Sequence, residues 1–272
     1  MRSRLLVLAA AGLATAVLAG CSGSSAADPA PSPSSTSPST STASPAGDDR
    51  LDRTAEQANL AVVDQLFRTA PPGLTAGNRA VVARTAADGP YVAVHWHDAQ
   101  DPSQAWSGTA RVDLFRLDAG KVVQHWALSQ DVPAAGASGH TMFDDAWTGT
   151  PATLTEEQEE RQRQFAVGAY DTLFRDQDVT VLDRSFDPDY RQHNPLVPDG
   201  TAPLKQFFAG SSFPPQESAL SLSDGDVVWT FSRPVGGAAQ DFTAADLFRV
   251  VDGKIVEHWD VVPVAAVGPT AA

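Results

Sequence analysis

The stretch that decides the fold is Asp113-Leu-Phe-Arg-Leu-Asp-Ala-Gly-Lys-Val-Val-Gln-His-Trp126, which recurs as Asp246-Leu-Phe-Arg-Val-Val-Asp-Gly-Lys-Ile-Val-Glu-His-Trp259. The offset is 133 residues without a gap, and nine of the fifteen positions from 112 to 126 are identical to their partners. Unrelated sequence would match at about one position, so the chain contains an internal repeat. It therefore holds two copies of one unit that ends in a hairpin.

The second hairpin predicts a functional face. Asp252-Gly253 between two apolar strands is typical of a two-residue turn, and a regular register from that turn alternates side chains between two faces. One face then carries two carboxylates among apolar side chains: Asp246, Phe248, Val250, Ile255, Glu257 and Trp259. The opposite face carries Leu247, Arg249, Val251, Lys254, Val256, His258 and Asp260, and we expect a structural role for its histidine.

Carboxylates on an apolar face need a partner or a proton, because burying them alone costs several kcal/mol. Asp246 and Glu257 therefore predict a cavity with an acid–base group whose pKa is raised toward neutrality. The alternative is that both lie at the rim of the sheet, where they meet water or a basic partner.

The remainder of the second unit, residues 154–265, predicts an α+β fold. Thr155-Glu-Glu-Gln158 forms a capping box, and apolar residues follow it at helical spacing. Further helices are predicted over 178–186 and 203–209, with an extended, turn-rich stretch over 187–195 between them. Antiparallel strands follow over 219–222, 226–233, 242–251 and 255–262. Helices followed by a strand meander are typical of the α+β class.

Residues 155–263 resemble the SnoaL-like polyketide cyclase family, within the nuclear-transport-factor-2-like superfamily, through Tyr190-Arg-Gln-His-Asn-Pro-Leu-Val-Pro-Asp-Gly200 and Ala245–Asp260. The resemblance implies a cone-shaped α+β barrel around an apolar pocket, and ring closure by aldol condensation without metal or cofactor. It gives the proton-carrying role to Asp246. Phe231 departs from the family, since related sequences often have histidine there.

The resemblance also suggests the other site residues. His193 would assist catalysis, unless it and Asn194 belong to a turn in which Asn194 caps the backbone. The remaining predicted ligand contacts are Asn194, Glu257, Trp259, Phe248 and Tyr190.

The first unit, residues 51–133, is shorter. It has no counterpart of Tyr190–Gly200, and Gln124 and Ala127 stand at the positions of Glu257 and Asp260. One side of its sheet would be uncovered, so we expect an internal pseudo-dimer with the second unit, joined by a connector over 134–153. The alternative is a separate domain.

No metal site is predicted from the sequence. His95 and His97 share a face of one strand, but no third ligand accompanies them. We therefore expect neither a metal nor a cofactor.

The N-terminus predicts export and anchoring. Residues 1–20 have a basic start and an apolar stretch, and Leu18-Ala-Gly-Cys21 resembles the lipobox of a bacterial lipoprotein. Cys21, the only cysteine, would carry acyl chains of the palmitate type and hold the protein at the cell membrane on its extracytoplasmic side. The alternative is an ordinary secretory signal. Residues 21–50 would form a disordered Ser/Pro/Thr-rich tether, and 266–272 a tail.

The formal net charge of −14 argues against nucleic acid as a partner. Together these observations favour a lipid-anchored protein that binds a small apolar or aromatic ligand in its second unit without turnover. The first alternative is a cofactor-free cyclase or isomerase that uses Asp246 as general acid/base. The second is a structural envelope protein whose pocket is filled by its own side chains.

Overall fold

Two mainly antiparallel sheets form the framework, and each contains one copy of the repeated hairpin. The computed structural model describes residues 53–210 and 213–263. The first sheet consists, in spatial order, of β1 (Arg79–Asp88), β2 (Tyr91–Ala99), β3 (Thr109–Asp118) and β4 (Lys121–Asp131). The second consists, in spatial order, of β5 (Phe186–Gln192), β9 (Lys254–Val261), β8 (Ala244–Val251), β7 (Val227–Pro234) and β6 (Gln216–Asp224).

One helix precedes the first sheet, two precede the second, and the fourth lies between β5 and β6. The helices are α1 (Arg53–Thr69), α2 (Glu156–Phe174), α3 (Val181–Ser185) and α4 (Thr201–Gly210). The capping box at Thr155 is present, with the side chains of Thr155 and Gln158 bonded to each other's backbone. The predicted α+β class is confirmed. The predicted extended stretch after α3 contains β5, which pairs in parallel with β9.

The predicted register of the second hairpin is correct near the turn and wrong beyond it. Asp252 and Gly253 both adopt positive φ, 48° and 72°, and Val251 pairs with Lys254 as expected. Between the Val250–Ile255 and Arg249–Glu257 pairs the register shifts, so that Val256 is the extra residue of a β-bulge. Beyond a bulge every side chain changes face.

The bulge corrects the composition of the functional face. Asp246 now pairs with Asp260, and Phe248 pairs with His258. Glu257 and Trp259, predicted to share a face with Asp246, lie on the other side of the sheet. His258 and Asp260 take their places.

The first hairpin has the same irregularity at the same position. The pair Leu117–Val122 is followed by Arg116–Gln124, which leaves Val123 as the extra residue, 133 positions before Val256. Asp113 consequently pairs with Ala127. The two copies thus agree in backbone register as well as in sequence.

Three apolar cores stabilise this arrangement. The inner faces of the two sheets share one core, to which Leu114 contributes from the first sheet and Leu247 and Trp259 from the second. α1 packs on the other face of the first sheet through Val63. The three later helices pack on the other face of the second sheet, with Tyr170, Leu173, Leu204, Phe248 and Val250 among the buried residues.

Several predicted segments lie outside the described residues. These are the signal sequence 1–20, the lipidation site Cys21, the tether 21–50 and the tail 266–272. Among the described residues no helix is both long enough and apolar enough to cross a membrane.

Candidate functional site

A cavity of about 320 Å³ lies between the second sheet and its helices. Its wall is mostly apolar and aromatic, and its polar end is formed by side chains of β8, β9 and the segment after β5. The lining residues that matter below are Tyr170, Gln192, Asn194, Asp246, His258 and Asp260, with a phenylalanine cluster of Phe174, Phe207, Phe208 and Phe213. The first sheet contributes Gln130, whose Oε1 accepts a hydrogen bond from the backbone N–H of Val262 at 2.9 Å.

Asp246 points into this cavity, on the face where the sequence placed it. Its Oδ1 lies 3.1 Å from Nε2 of His258, and both residues are buried. The imidazole stacks on the ring of Phe248, with ring centroids 4.9 Å apart. The structure therefore pairs the predicted aspartate with a histidine that the regular register had placed on the opposite face.

Gln192 fixes the orientation of that histidine. Its Oε1 accepts the backbone N–H of Asn194 at 2.8 Å, which identifies this atom as the oxygen, and it lies 2.9 Å from Nδ1 of His258. An oxygen without a proton can only accept, so Nδ1 of His258 carries a hydrogen. Nε2 on the opposite side of the ring then faces Oδ1 of Asp246.

Asp260 completes the polar end of the cavity. Asn194 donates to its Oδ2 at 2.5 Å, while its buried Oδ1 has no hydrogen-bond partner among the described residues. Burial raises the pKa of Asp260 to about 6, an effect that the nearby His258 opposes and Asp246 reinforces. A carboxyl group with this pKa can gain or lose its proton near neutral pH.

Tyr170 on α2 faces the same groups. Burial raises the pKa of its phenol well above the ordinary value, and the negative charge of Asp246 adds to the effect. The hydroxyl therefore stays protonated. It forms part of the wall of the cavity.

Residues 167–258 match the SnoaL-like domain family. The match begins within α2 and ends in β9, and it includes Asp246 and His258, while Asp260 lies two residues beyond it. No curated protein sequence matches the chain.

Several solved structures are similar to part of the chain. A predicted polyketide cyclase from Bacillus cereus ATCC 10987 is 19% identical, with a TM-score of 0.35, over 45% of this chain and 93% of that one. A predicted SnoaL-like polyketide cyclase from Jannaschia sp. CCS1 is 19% identical, with a TM-score of 0.31, over 41% and 90%. A predicted ketosteroid isomerase from Kribbella flavida DSM 17836 is 18% identical, with a TM-score of 0.32, over 42% and 86%.

Glu257 and Trp259 of the second unit do not line the cavity. The carboxylate of Glu257 is fully buried between the sheets, where it accepts hydrogen bonds from the backbone N–H groups of Ala146 and Trp147 and from Arg249 Nη1 at 2.8 Å. The indole of Trp259 lies beneath the guanidinium of Arg84, 4.0 Å from the ring centroid. Glu257 thus connects the second sheet to the connector, and Trp259 connects it to β1 of the first sheet.

His193 belongs to the same buried cluster and not to the cavity wall. Its Nε2 lies 2.9 Å from Oε1 of Glu257, and its Nδ1 lies 2.6 Å from the carbonyl oxygen of Thr141. Both partners are acceptors, so both ring nitrogens carry hydrogen and the imidazole is cationic. Burial would lower the pKa of His193, but the hydrogen bonds to Asp144 and Glu257 outweigh it and the pKa is raised.

The other predicted contacts divide between the wall and its support. Asn194 lines the cavity, and its Oδ1 also accepts the backbone N–H of Leu196, as expected for a turn. Tyr190 is buried and accepts a hydrogen bond from Gln192 at 2.6 Å. Tyr190 and Phe248 therefore hold Gln192 and His258 in place from behind, without lining the cavity themselves.

The first unit keeps the aspartate–histidine pair, and there an indole contacts the aspartate. Oδ1 of Asp113 lies 2.5 Å from Nε2 of His125, and the histidine stacks on Phe115. Trp96 Nε1 donates to the other carboxylate oxygen at 2.5 Å, and Phe67 of α1 packs edge-on against that indole. The side chains of Trp96 and Phe67 thus lie next to the aspartate–histidine pair of the first unit.

The residues that the sequence analysis missed are His258, Asp260 and Gln192. One signal was available: the aspartate and the histidine recur in both copies, whereas Glu257 is replaced by Gln124. His258 and Asp260 also supply, with Asp246, three potential metal ligands whose atoms all lie within 4.8 Å of one another. The cavity can therefore bind an apolar ligand, exchange a proton with it, or hold a cation at its polar end.

Proposed function

We propose that this protein binds a small apolar or aromatic ligand in the cavity of its second unit. The observation that carries the proposal is the cavity itself, about 320 Å³ in volume, with aromatic walls and a polar end of three titratable side chains. Its volume falls at the lower end of the range for small-molecule sites, about 300–1,000 Å³. No lysine or arginine of the part of the chain that the structure describes lines it, so a neutral ligand fits better than an anion.

The polar end would orient the ligand. No described residue donates a hydrogen bond to Oδ1 of Asp260, and a buried acceptor without a donor costs about 1–3 kcal/mol. A ligand hydroxyl or other donor would remove that cost, while the phenylalanine cluster would contact its apolar part. A ligand with one polar end and an aromatic or aliphatic body therefore suits the site.

The test is to block the cavity and measure binding. Ala244 lines the cavity and is half-buried, so Ala244→Phe should fill part of it. Native mass spectrometry of what co-purifies, and thermal shift with a panel of aromatic alcohols and ketones, should detect a ligand with the wild type and lose it with this variant. Ala76→Phe, at an exposed position of the first unit, is the matched control. A wild-type protein that neither carries nor is stabilised by any such compound would contradict the proposal.

A second candidate function is cofactor-free proton transfer beside a carbonyl group, as in a cyclase or isomerase. The contact between Asp246 and His258 supports it, because it places a base beside an acid. The carboxylate would accept a proton from carbon while the imidazole gives a proton to a ligand oxygen. Tyr170, held in its protonated form, could donate a hydrogen bond to an enolate. Gln192 would keep the imidazole in one orientation throughout.

Deuterium exchange tests this candidate directly. Aromatic ketones such as tetralones incorporate deuterium beside the carbonyl in D₂O, and NMR measures the rate with and without protein. Catalysis by Asp246 predicts a loss of about 10²–10⁴-fold in Asp246→Asn. His125→Gln, which changes the equivalent histidine of the first unit, should leave the rate unchanged. Exchange that survives Asp246→Asn intact would exclude this role.

We also propose that the two units form an internal pseudo-dimer. Two hydrogen bonds support it: Ala87 N–H donates to Oδ2 of Asp224, and Ser223 N–H donates to Oδ2 of Asp88, both at 3.0 Å. Asp88 and Asp224 are each followed by glycine in a turn between two strands. Each aspartate accepts a hydrogen bond from the backbone N–H of the residue that precedes the other aspartate. Such reciprocal contacts are typical of a twofold interface.

Expression of residues 150–272 alone tests this arrangement. The fragment would expose the inner face of the second sheet, including Trp229 and Leu247, which are buried in the full chain. We expect it to self-associate in analytical ultracentrifugation while the full chain does not. A monomeric, stable fragment would contradict the proposal.

For location, we propose anchoring to the cell membrane on its extracytoplasmic side through Cys21, supported by the sequence Leu18-Ala-Gly-Cys21 after an apolar stretch. Metabolic labelling with an alkyne fatty acid should mark the wild type and not Cys21→Ser. Equal labelling of both proteins would exclude lipidation at this residue.

A further inference from the structure

We infer that Asp246, His258 and Asp260 form a binding site for a divalent transition-metal ion at the polar end of the cavity. The inference goes beyond the proposed ligand binding and does not depend on the identity of the ligand. One potential ligand atom from each residue lies within 4.8 Å of the others. All three side chains are buried, with residue exposures of 4%, 7% and 5%.

The histidine is prepared for coordination by the hydrogen bond behind it. Nδ1 of His258 donates to Oε1 of Gln192, and the amide orientation of Gln192 is fixed in turn by Asn194 N–H and the hydroxyl of Tyr190. This leaves the lone pair of Nε2 on the side of the carboxylates. Metal-binding histidines commonly have this arrangement, in which a second residue holds the far nitrogen and sets the tautomer.

The carboxylates offer oxygens on the same side. Oδ1 of Asp246 lies 3.1 Å from Nε2 of His258, a spacing compatible with two ligands of one ion. Oδ1 of Asp260 is buried without a hydrogen-bond partner, whereas Asn194 holds the other oxygen of that carboxylate. A cation would give this oxygen the partner that no described residue supplies.

The first unit provides an internal comparison. It repeats the pair as Asp113 and His125, but Ala127 replaces the second carboxylate, and Trp96 occupies the free oxygen of Asp113. The second unit therefore has two carboxylates at these positions and the first unit has one. In the second unit the third ligand, Asp260, lines the cavity.

The ligand set indicates which ions would bind. Two carboxylate oxygens and one imidazole nitrogen suit Zn²⁺ or Mn²⁺ better than Ca²⁺ or Cu⁺. Three protein ligands would leave further coordination positions directed into the cavity, open to water or to a ligand oxygen. The ion would lie between Nε2 of His258 and Oδ1 of Asp246, which now face each other.

Calorimetric titration of the full-length chain with ZnCl₂ and with MnCl₂, after removal of bound metal by chelation and dialysis, tests the inference. We expect one saturable site for at least one of these ions. Asp260→Asn and His258→Gln should each weaken it by more than about 100-fold, and Gln192→Met by about 10–100-fold. Asp260→Asn keeps an acceptor for Asn194, and circular dichroism establishes that each variant is folded.

His125→Gln is the matched control and should bind the ion as the wild type does. The inference is overturned by a folded wild type that binds neither ion, by unchanged affinity in Asp260→Asn, or by equal weakening in His125→Gln. The metal titrations contain no organic compound, and the ligand assays can be run with chelator present, so either proposal can fail without the other.

Discussion

Asp260→Asn should stabilise the protein at neutral pH, because the ionised carboxylate is unfavourable in the folded state. Burial raises the pKa of Asp260 to about 6, against an ordinary value of about 3.9. The folded state therefore binds this proton more tightly than the unfolded chain does. The contribution of Asp260 to stability is most favourable below about pH 4 and is lost as pH rises through about 6.

The size of the effect follows from that difference. A pKa that is about 2 higher than ordinary corresponds to about 3 kcal/mol, which sets the upper limit of the gain. The asparagine can still accept from Asn194, but its amide is not fully bonded, so we expect a gain of about 1–3 kcal/mol at pH 7.5. For a domain of this size, the melting temperature should rise by about 2–12 °C.

Urea denaturation followed by tryptophan fluorescence, at pH 7.5 and at pH 4.0 with chelator present, measures the effect. The gain in the free energy of unfolding of Asp260→Asn over wild type should be about 1–3 kcal/mol at pH 7.5 and close to zero at pH 4.0. An Asp260→Asn variant that is no more stable than wild type at pH 7.5, or that keeps the same increment at pH 4.0, would refute the reasoning.

Asp98→Asn is a control of opposite sign. Burial would raise the pKa of Asp98, but hydrogen bonds from Asn78 and Thr75 and the charge of Arg111 outweigh it and the pKa is lowered. Its contribution to stability is present above about pH 3.9 and is lost as pH falls through the lower folded value. Asp98→Asn should therefore destabilise the protein at pH 7.5.

Three further predictions concern the contacts between the sheets. Because the pKa of His193 is raised, its contribution to stability is complete below about pH 6.5 and is lost as pH rises through the folded value, so His193→Gln should cost more at pH 6 than at pH 9 in urea titrations. Glu257→Gln removes one charge of a buried pair with Arg249 and should cost about 3–5 kcal/mol, read from the urea midpoint; a cost under about 1 kcal/mol would contradict it. Asp224→Ala leaves the N–H of Ala87 without its acceptor and should cost about 1–3 kcal/mol in thermal unfolding, whereas no loss would mean that water replaces the bond.

Much of the fold follows from local signals in the sequence. The capping box at Thr155 begins α2, and the Asp252-Gly253 turn begins the last hairpin, because both motifs act through hydrogen bonds or backbone preferences within a few residues. The repeat indicates that the two hairpins share one design. The inward direction of Asp246 also follows from the sequence, because Asp246 belongs to β8 and the extra residue lies in β9.

The partners of Asp246 were decided by tertiary structure. One extra residue at Val256 reverses the face of everything after it on β9, and neither residue type nor turn chemistry encodes that bulge. The same reversal buries Glu257 and Trp259 between the sheets and brings His258 and Asp260 to the cavity. The alternation of side chains between the two faces of a strand is a local property of its backbone. The position of the β-bulge that interrupts the alternation depends on how the two sheets pack, and the sequence of a single strand does not contain that information.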